Sequence, residues 1–278
     1  MSRLSPDRLL ISLAPTEVAL LRVARGLRPR ILSKQALDCD PAFGAAPWQG
    51  AVAALGAALE PLRSERLDAT VVLSNHFVRY ALVRPDAALA SPAEQLGLAR
   101  FQFARIYGER AKGWDVRLSS AARRSAPRLA SAVDAGLVPA IRACFVRGAK
   151  PRLVSIQPYL MAAFNCWRAS IGHADGWLLL LEPQRACLAL QAGRRWAAVQ
   201  TLRGEYAEPE DWAALLEREQ LRAEVEAAPQ RVHVHAPARG RAVSGEAQGW
   251  AMQGLGLPPL EGFNPREDAR FAMALSAQ

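Results

Sequence analysis

Short apolar stretches broken by turn-forming residues open the chain. Residues 9–13 (Leu-Leu-Ile-Ser-Leu) predict a strand, Ala14-Pro15-Thr16 a turn, and residues 18–24 a second strand. Arg25-Gly26 turns again, and residues 30–37 predict a third strand. Residues 41–48 form a loop, 51–62 repeat apolar positions at helical spacing, and 67–73 return to a strand that residues 76–83 follow with another. Ser91-Pro92-Ala93-Glu94 marks a helix start. Ser caps, Pro takes the first helical position, and Glu three residues on completes a capping box. That helix runs to about Tyr107 and stops at Gly108. Strands follow at 114–119 and 129–133, a helix capped by Asp134 and ending near Gly148, a strand at 152–156 and a helix at 159–170.

The opening pattern then returns. Residues 177–181, 186–192 and 196–202 predict three strands, with turns at Glu182-Pro183-Gln184 and Gly193-Arg194. A helix at 209–222 and a strand at 231–235 complete the second copy. The repeated unit is β-β-β-α-β. Pro15 and Pro183 match at an offset of 168 residues, and Trp48 and Trp212 both stand near the start of their helix.

Composition narrows the class without naming a chemistry. The 278 residues are 51% hydrophobic, enough for a large buried core and too apolar for a disordered chain. The longest unbroken apolar run, residues 159–164, is far below the roughly 20 that a membrane-spanning helix needs. The N-terminal residues reach Asp7 before any apolar stretch, so no signal peptide is expected. The net charge is +9, and only three of the 35 basic residues (Lys34, Lys112, Lys150) are lysines. Abundant Arg and Ala together are what GC-rich coding produces, so part of this basicity is compositional. Such a chain is still drawn to polyanions. Cys39, Cys144, Cys166 and Cys187 form no C-x-x-C pair; the last three sit in apolar stretches and read as reduced, buried hydrophobes.

Two copies of β-β-β-α-β make the ground plan of an α/β fold of the actin-like, ribonuclease H-like type. On this plan residues 1–175 are the first half, with an inserted subdomain at about 74–150, and 176–278 are a reduced second half. The hairpin Leu-Leu-Ile-Ser-Leu-Ala-Pro-Thr-Glu-Val-Ala-Leu-Leu-Arg-Val, the segment after Leu73 and the ending from Asp268 to Leu275 carry a more specific likeness. In these the chain resembles PilM-type pilus assembly proteins and the cytoplasmic domain of the type II secretion L component.

The resemblance implies that any nucleotide would sit between the two hairpin turns, cradled by Gly, Ser or Thr and acidic residues. Here both turns lack Gly and carry Pro, which has no N–H to offer. Pro15, Thr16, Pro183 and Gln184 are therefore degenerate phosphate-loop positions, and Ser12 and Leu13 stand where the first strand would end on a carboxylate. No ATP or Mg cofactor is expected, and an active ATPase is the alternative. The loop with Arg239, Gly240 and Arg241 follows a strand and precedes a predicted helix, a second candidate anion site beside the reading of a solvated loop. The resemblance further implies a non-catalytic scaffold, cytoplasmic and peripheral to the inner membrane. Its partner would be a membrane-anchored assembly protein that offers a short cytoplasmic peptide; an assembly ATPase and an acidic membrane surface are further partners.

The remaining constellations carry less. His233 and His235 share one strand face with no third metal ligand nearby in sequence, so they read as cover for the sheet. His76 has no nucleophile partner. The arginine clusters at 22–30, 123–128, 142–152 and 194–195 lack a recognition helix or aromatic platform, so a specific nucleic-acid partner is not expected. A basic nucleic-acid-binding protein is the further alternative. In the helix at 92–107, Leu96, Ala99, Phe103, Ile106 and Tyr107 form one stripe, with Leu98 and Phe101 opposite. A helix apolar on both sides is either sandwiched or docks a partner. In the docking reading Leu98, Arg100, Phe101 and Arg105 contact the partner peptide, and Arg79 and Tyr80 form the groove wall.

Overall fold

The computed structural model describes residues 6–26, 28–42, 44–84, 91–119, 126–145, 150–172, 175–223, 225, 229–239 and 243–278. The first copy of the repeat is β1 (Asp7–Ala14), β2 (Glu17–Val23), β3 (Ile31–Asp38), α1 (Gln49–Leu59) and β4 (Leu67–Leu73). The inserted segment holds β5 (Arg79–Val83), α2 (Pro92–Tyr107), β6 (Trp114–Leu118), β7 (Arg128–Asp134) and α3 (Leu137–Cys144). The chain rejoins the first sheet at β8 (Arg152–Pro158), followed by α4 (Tyr159–Cys166) and α5 (Arg168–Ile171). The second copy is β9 (Gly176–Glu182), β10 (Arg185–Ala192), β11 (Arg195–Arg203), α6 (Pro209–Ala223) and β12 (Arg231–His235). β13 (Gly245–Ala247), β14 (Trp250–Gly254) and α7 (Ala272–Leu275) follow.

The two copies build sheets of the same plan. The first has strand order β3-β2-β1-β4-β8, the second β11-β10-β9-β12-β14-β13. In each, a hairpin of three antiparallel strands leads through a helix to a strand parallel to the first, β4 beside β1 and β12 beside β9. A further parallel strand then adds outside it, β8 beside β4 and β14 beside β12. The inserted strands make a separate antiparallel sheet, β5-β7-β6.

Period-2 alternation decides which core each residue joins. Leu9, Ile11 and Leu13 face the main core with α1 and α3, while Leu10 faces α7 and Phe271. In the second sheet Leu178, Leu180, Cys187 and Ala189 join that same main core, so it spans both halves. Trp177, Leu179, Leu188 and Trp212 make a second core under α6. A fourth cluster, with Phe103 and Val116, belongs to the inserted segment alone.

The structure moves several expected boundaries. β5 begins at Arg79 rather than at residue 76, because the Ser74 hydroxyl and carbonyl accept from His76 N (3.1 Å) and Phe77 N (3.0 Å) and bend the chain. Asp134 does not cap the next helix: its carboxylate accepts from Gly136 N (2.8 Å) in the turn before α3. That helix ends at Cys144, and the expected end at Gly148 lies outside the described residues. The helix expected at 159–170 is interrupted at Trp167. The segment after Arg239, expected to lead into a helix, leads into the β13–β14 hairpin.

Candidate functional site

The two hairpin turns sit at corresponding ends of their sheets but differ in what holds them. At the β1–β2 turn Thr16 O accepts from Cys39 N (2.8 Å), and Glu17 pairs with Arg270. At the β9–β10 turn Pro183 precedes Gln184, whose φ of +56° is the left-handed value that a type II turn places at its third position. Gly usually takes that place. This second turn is locked to the first half. The Glu182 carboxylate accepts from the Ser74 hydroxyl and from Asn75 N (3.0 Å), and Pro183 O accepts from His76 Nε2 (2.9 Å). Burial raises the Glu182 carboxyl above its ordinary value, and the hydrogen bonds from Ser74 and Asn75 oppose that rise. A carboxylate engaged by two donors and a carbonyl engaged by an imidazole hold the halves together.

The sequence located the turn but not its partners, since Ser74 and Glu182 are 108 residues apart. Among the described residues, no group of three or more His, Cys, Asp or Glu side chains is placed to share a metal ion.

The proposed anion loop is not a free anion site at Arg239. Its guanidinium pairs with Glu208 (2.6 Å), donates to Ala207 O and lies 5.3 Å from the Trp212 ring centroid. Gly240 and Arg241 lie outside the described residues.

An open cavity of about 370 Å³ lies where β12 and β14 end, lined by His235, Leu255, Leu257, Phe263, Arg266 and Ala272 among others. His235 is buried, its Nδ1 donates to Leu255 O (3.0 Å), and its ring lies tilted against Trp167 with the centroids 4.4 Å apart. Burial holds its imidazole neutral, down at about 4. His233 shares this face and is lowered as well, by burial first. Both imidazoles cover one face of the sheet, as expected, and both are buried there. Nothing in the sequence marks the cavity, because its walls come from residues up to 37 positions apart.

The inserted helix is seated on one side only. The Ser91 capping box forms as its spacing predicts. Ala99 and Phe103 are buried against the β5-β7-β6 sheet, and Leu96, Leu98 and Tyr107 pack partly onto the same cluster. Phe103 and Tyr107 both meet the Trp114 ring edge-on, at 6.1 and 5.0 Å. Two expectations therefore change. Leu98 turns inward, and Ile106, placed in the seated stripe, is 61% exposed. Phe101 is 62% exposed with Arg100 and Arg105 beside it on the helix surface. The groove wall also changes. Tyr80 is a core residue whose hydroxyl donates to Asn75 Oδ1 (2.9 Å) and accepts from Leu160 N. Arg79 is half-buried and donates to His76 O and Val78 O (both 3.0 Å).

Much of the basicity is engaged internally. Arg22 pairs with Asp7 (3.1 Å) and Glu65 (2.6 Å), and Asp68 takes both Arg25 (3.4 Å) and Arg152 (2.9 Å). Arg123, Arg124 and Arg147 lie outside the described residues. All four cysteines are free thiols; burial pushes that of Cys166 up to about 11.

No family model and no curated protein matches the sequence. Solved structures do. The cytoplasmic domain of EpsL, an inner membrane component of the type II secretion system of Vibrio cholerae, is 12% identical with a TM-score of 0.57, covering 98% of this chain and 96% of that one. A Bacteroides thetaiotaomicron protein with an actin-like ATPase fold and unknown function is 9% identical with a TM-score of 0.54, covering 83% and 81%. The PilM–PilN type IV pilus biogenesis complex gives 17% identity and a TM-score of 0.52, covering 78% and 68%. The chain has the actin-like ATPase fold. Among the described residues, the paired sheets, the Pro-tipped turns and an inserted β-α-β-β segment mark its version of that fold.

Proposed function

We propose that this chain is a non-catalytic actin-like scaffold at the cytoplasmic side of an inner membrane, where it helps to assemble a type IV pilus or type II secretion platform. In this reading residues 1–175 and 176–278 are the two halves. The observation that carries it is the second turn: Glu182 and Pro183 are tied to Ser74, Asn75 and His76. In an ATPase of this fold the same groups would face phosphate and metal. The carboxylate at the first turn, Glu17, is held by Arg270, and neither Pro15 nor Pro183 has an N–H.

The likeness to structures of pilus and secretion components supports the assembly role. Among the described residues no helix is long and apolar enough to cross a membrane. The reading includes a membrane-anchored partner. The exposed face of α2 is the surface proposed for its cytoplasmic peptide. Phe101 supplies an apolar anchor, and Arg100 and Arg105 supply donors for carbonyls or carboxylates. An assembly ATPase and an acidic membrane surface are further partners of the same scaffold. The competing reading, a working ATPase, rests on the cavity beside His235.

The test uses peptides from the cytoplasmic segments of the single-span proteins encoded beside this chain, titrated by fluorescence anisotropy. Binding that weakens by about 2 kcal/mol or more in Phe101→Ala supports the scaffold. Binding of none of them, or binding that ignores Phe101, contradicts the proposed surface.

A further inference from the structure

The strand face that β10 and β11 turn toward the first half changes character along its length. Cys187, Ala189 and Val199 sink into the main core. One step nearer the turn, that face carries Arg185 directly opposite Arg203. Like charges opposed on neighbouring strands are destabilising. Arg185 is only 5% exposed, and its Nε is buried without a hydrogen-bond partner. Arg203 lies at the solvent edge.

Two more basic groups reach this place from the first half. The His76 ring touches Pro183 O, two residues before Arg185, and the Arg79 guanidinium clasps His76 O. β5 packs against β11, which brings Arg79 to the strand that carries Arg203, and Arg203 stands opposite Arg185 in register. None of the three is in an ion pair among the described residues. The Glu182 carboxylate is on the register partner of Arg185 across β9 and β10, but its oxygens already serve Ser74 and Asn75. Three guanidinium groups against one engaged carboxylate leave a local excess of two positive charges. Buried charges are ordinarily paired, and an unpaired one is costly.

We propose that Arg79, Arg185 and Arg203 form an oxyanion site that takes a phosphoryl group. A phosphate dianion matches the charge excess, and guanidinium forks match phosphate oxygens in pairs. A lone carboxylate would leave one charge over. The site is built from side chains on a strand face, not from backbone groups at the hairpin tips, and it stands whether or not α2 docks a peptide.

The test is a titration of the full chain with inorganic phosphate at constant ionic strength, read by thermal shift. Its second arm is flotation with phosphatidylcholine vesicles that contain or lack phosphatidic acid. Phosphate should raise the melting midpoint in a saturable way by about 10 mM, as a ligand specific to the folded state must. Arg203→Gln, at the solvent edge, should weaken that effect at least tenfold. Arg185→Met should abolish it and, in phosphate-free buffer, melt no lower than the wild type. Should Arg185→Met fail to fold, Arg203→Gln decides alone. Saturation by free phosphate assigns a soluble ligand. No phosphate shift, together with flotation on phosphatidic acid that Arg203→Gln abolishes, assigns a lipid headgroup. The absence of both responses overturns the site. So does an equal loss in Arg110→Gln, an exposed arginine elsewhere, which would reduce the effect to net charge.

Discussion

β4 and β12 hold the same place in two sheets of one plan, yet the chain leaves them differently. Residues 74–151 stand between β4 and its parallel neighbour β8, while residues 236–249 suffice between β12 and β14. The long excursion has its own sheet and core, and it leaves an aromatic ring in solvent at Phe101. The short one adds a three-residue edge strand, β13. The same frame thus tolerates a large or a small connection at equivalent points. The frame sets the fold, and the long connection adds the exposed face of α2 that the proposed reading gives to a partner.

The contrast can be broken most sharply inside the inserted segment. Phe103→Ala, at a fully buried ring, should cost about 3–5 kcal/mol in denaturant unfolding. A loss under about 1 kcal/mol would mean that the segment has no packed core of its own.

At the start of the short connection the second test is pH. His235 is held neutral by burial, near 4 when folded against an ordinary 6.5. The unfolded chain therefore binds the proton first as pH falls. This contribution to stability is whole above about pH 6.5 and is lost toward pH 4, by about 3 kcal/mol. His233, lowered in the same direction, adds to the slope. His235→Gln should flatten the pH profile of unfolding across that window; a profile as steep as the wild type's would remove His235 as its cause.

The tie between the halves is the third. Glu182→Ala leaves the Ser74 hydroxyl and Asn75 N without their acceptor and should cost about 1–3 kcal/mol. Glu17→Ala breaks the half-exposed ion pair to Arg270 and should cost under about 1 kcal/mol. Equal losses would mean that the second turn is no more engaged than the first. The smallest effect on stability is expected at Phe101→Ala, under about 0.5 kcal/mol because the ring already lies in water.

The repeat was legible because its strands are short, strongly apolar and punctuated by Pro and Gly at the turns, and because the Ser91 capping box is a local signal. What escaped needed a partner distant in sequence. Tyr80 lies next to Arg79 on β5, and its hydroxyl is held by Asn75 and Leu160, contacts that no local pattern gives. Leu98 and Ile106 exchanged sides because one face of α2 is covered by a sheet whose position periodicity does not give. Glu182, the residue that most changes the reading of the turn, looks in sequence like any acidic turn residue. Arg185 and Arg203 are 18 residues apart and meet only through the β10–β11 register.

The central claim is that an actin-like frame is used here without nucleotide, and isothermal titration with Mg-ATP tests it most directly. The scaffold reading expects no saturable heat, or a dissociation constant weaker than about 1 mM, roughly −4 kcal/mol. A constant in the low micromolar range, about −8 kcal/mol, would contradict it and return the cavity beside His235 to an ATPase.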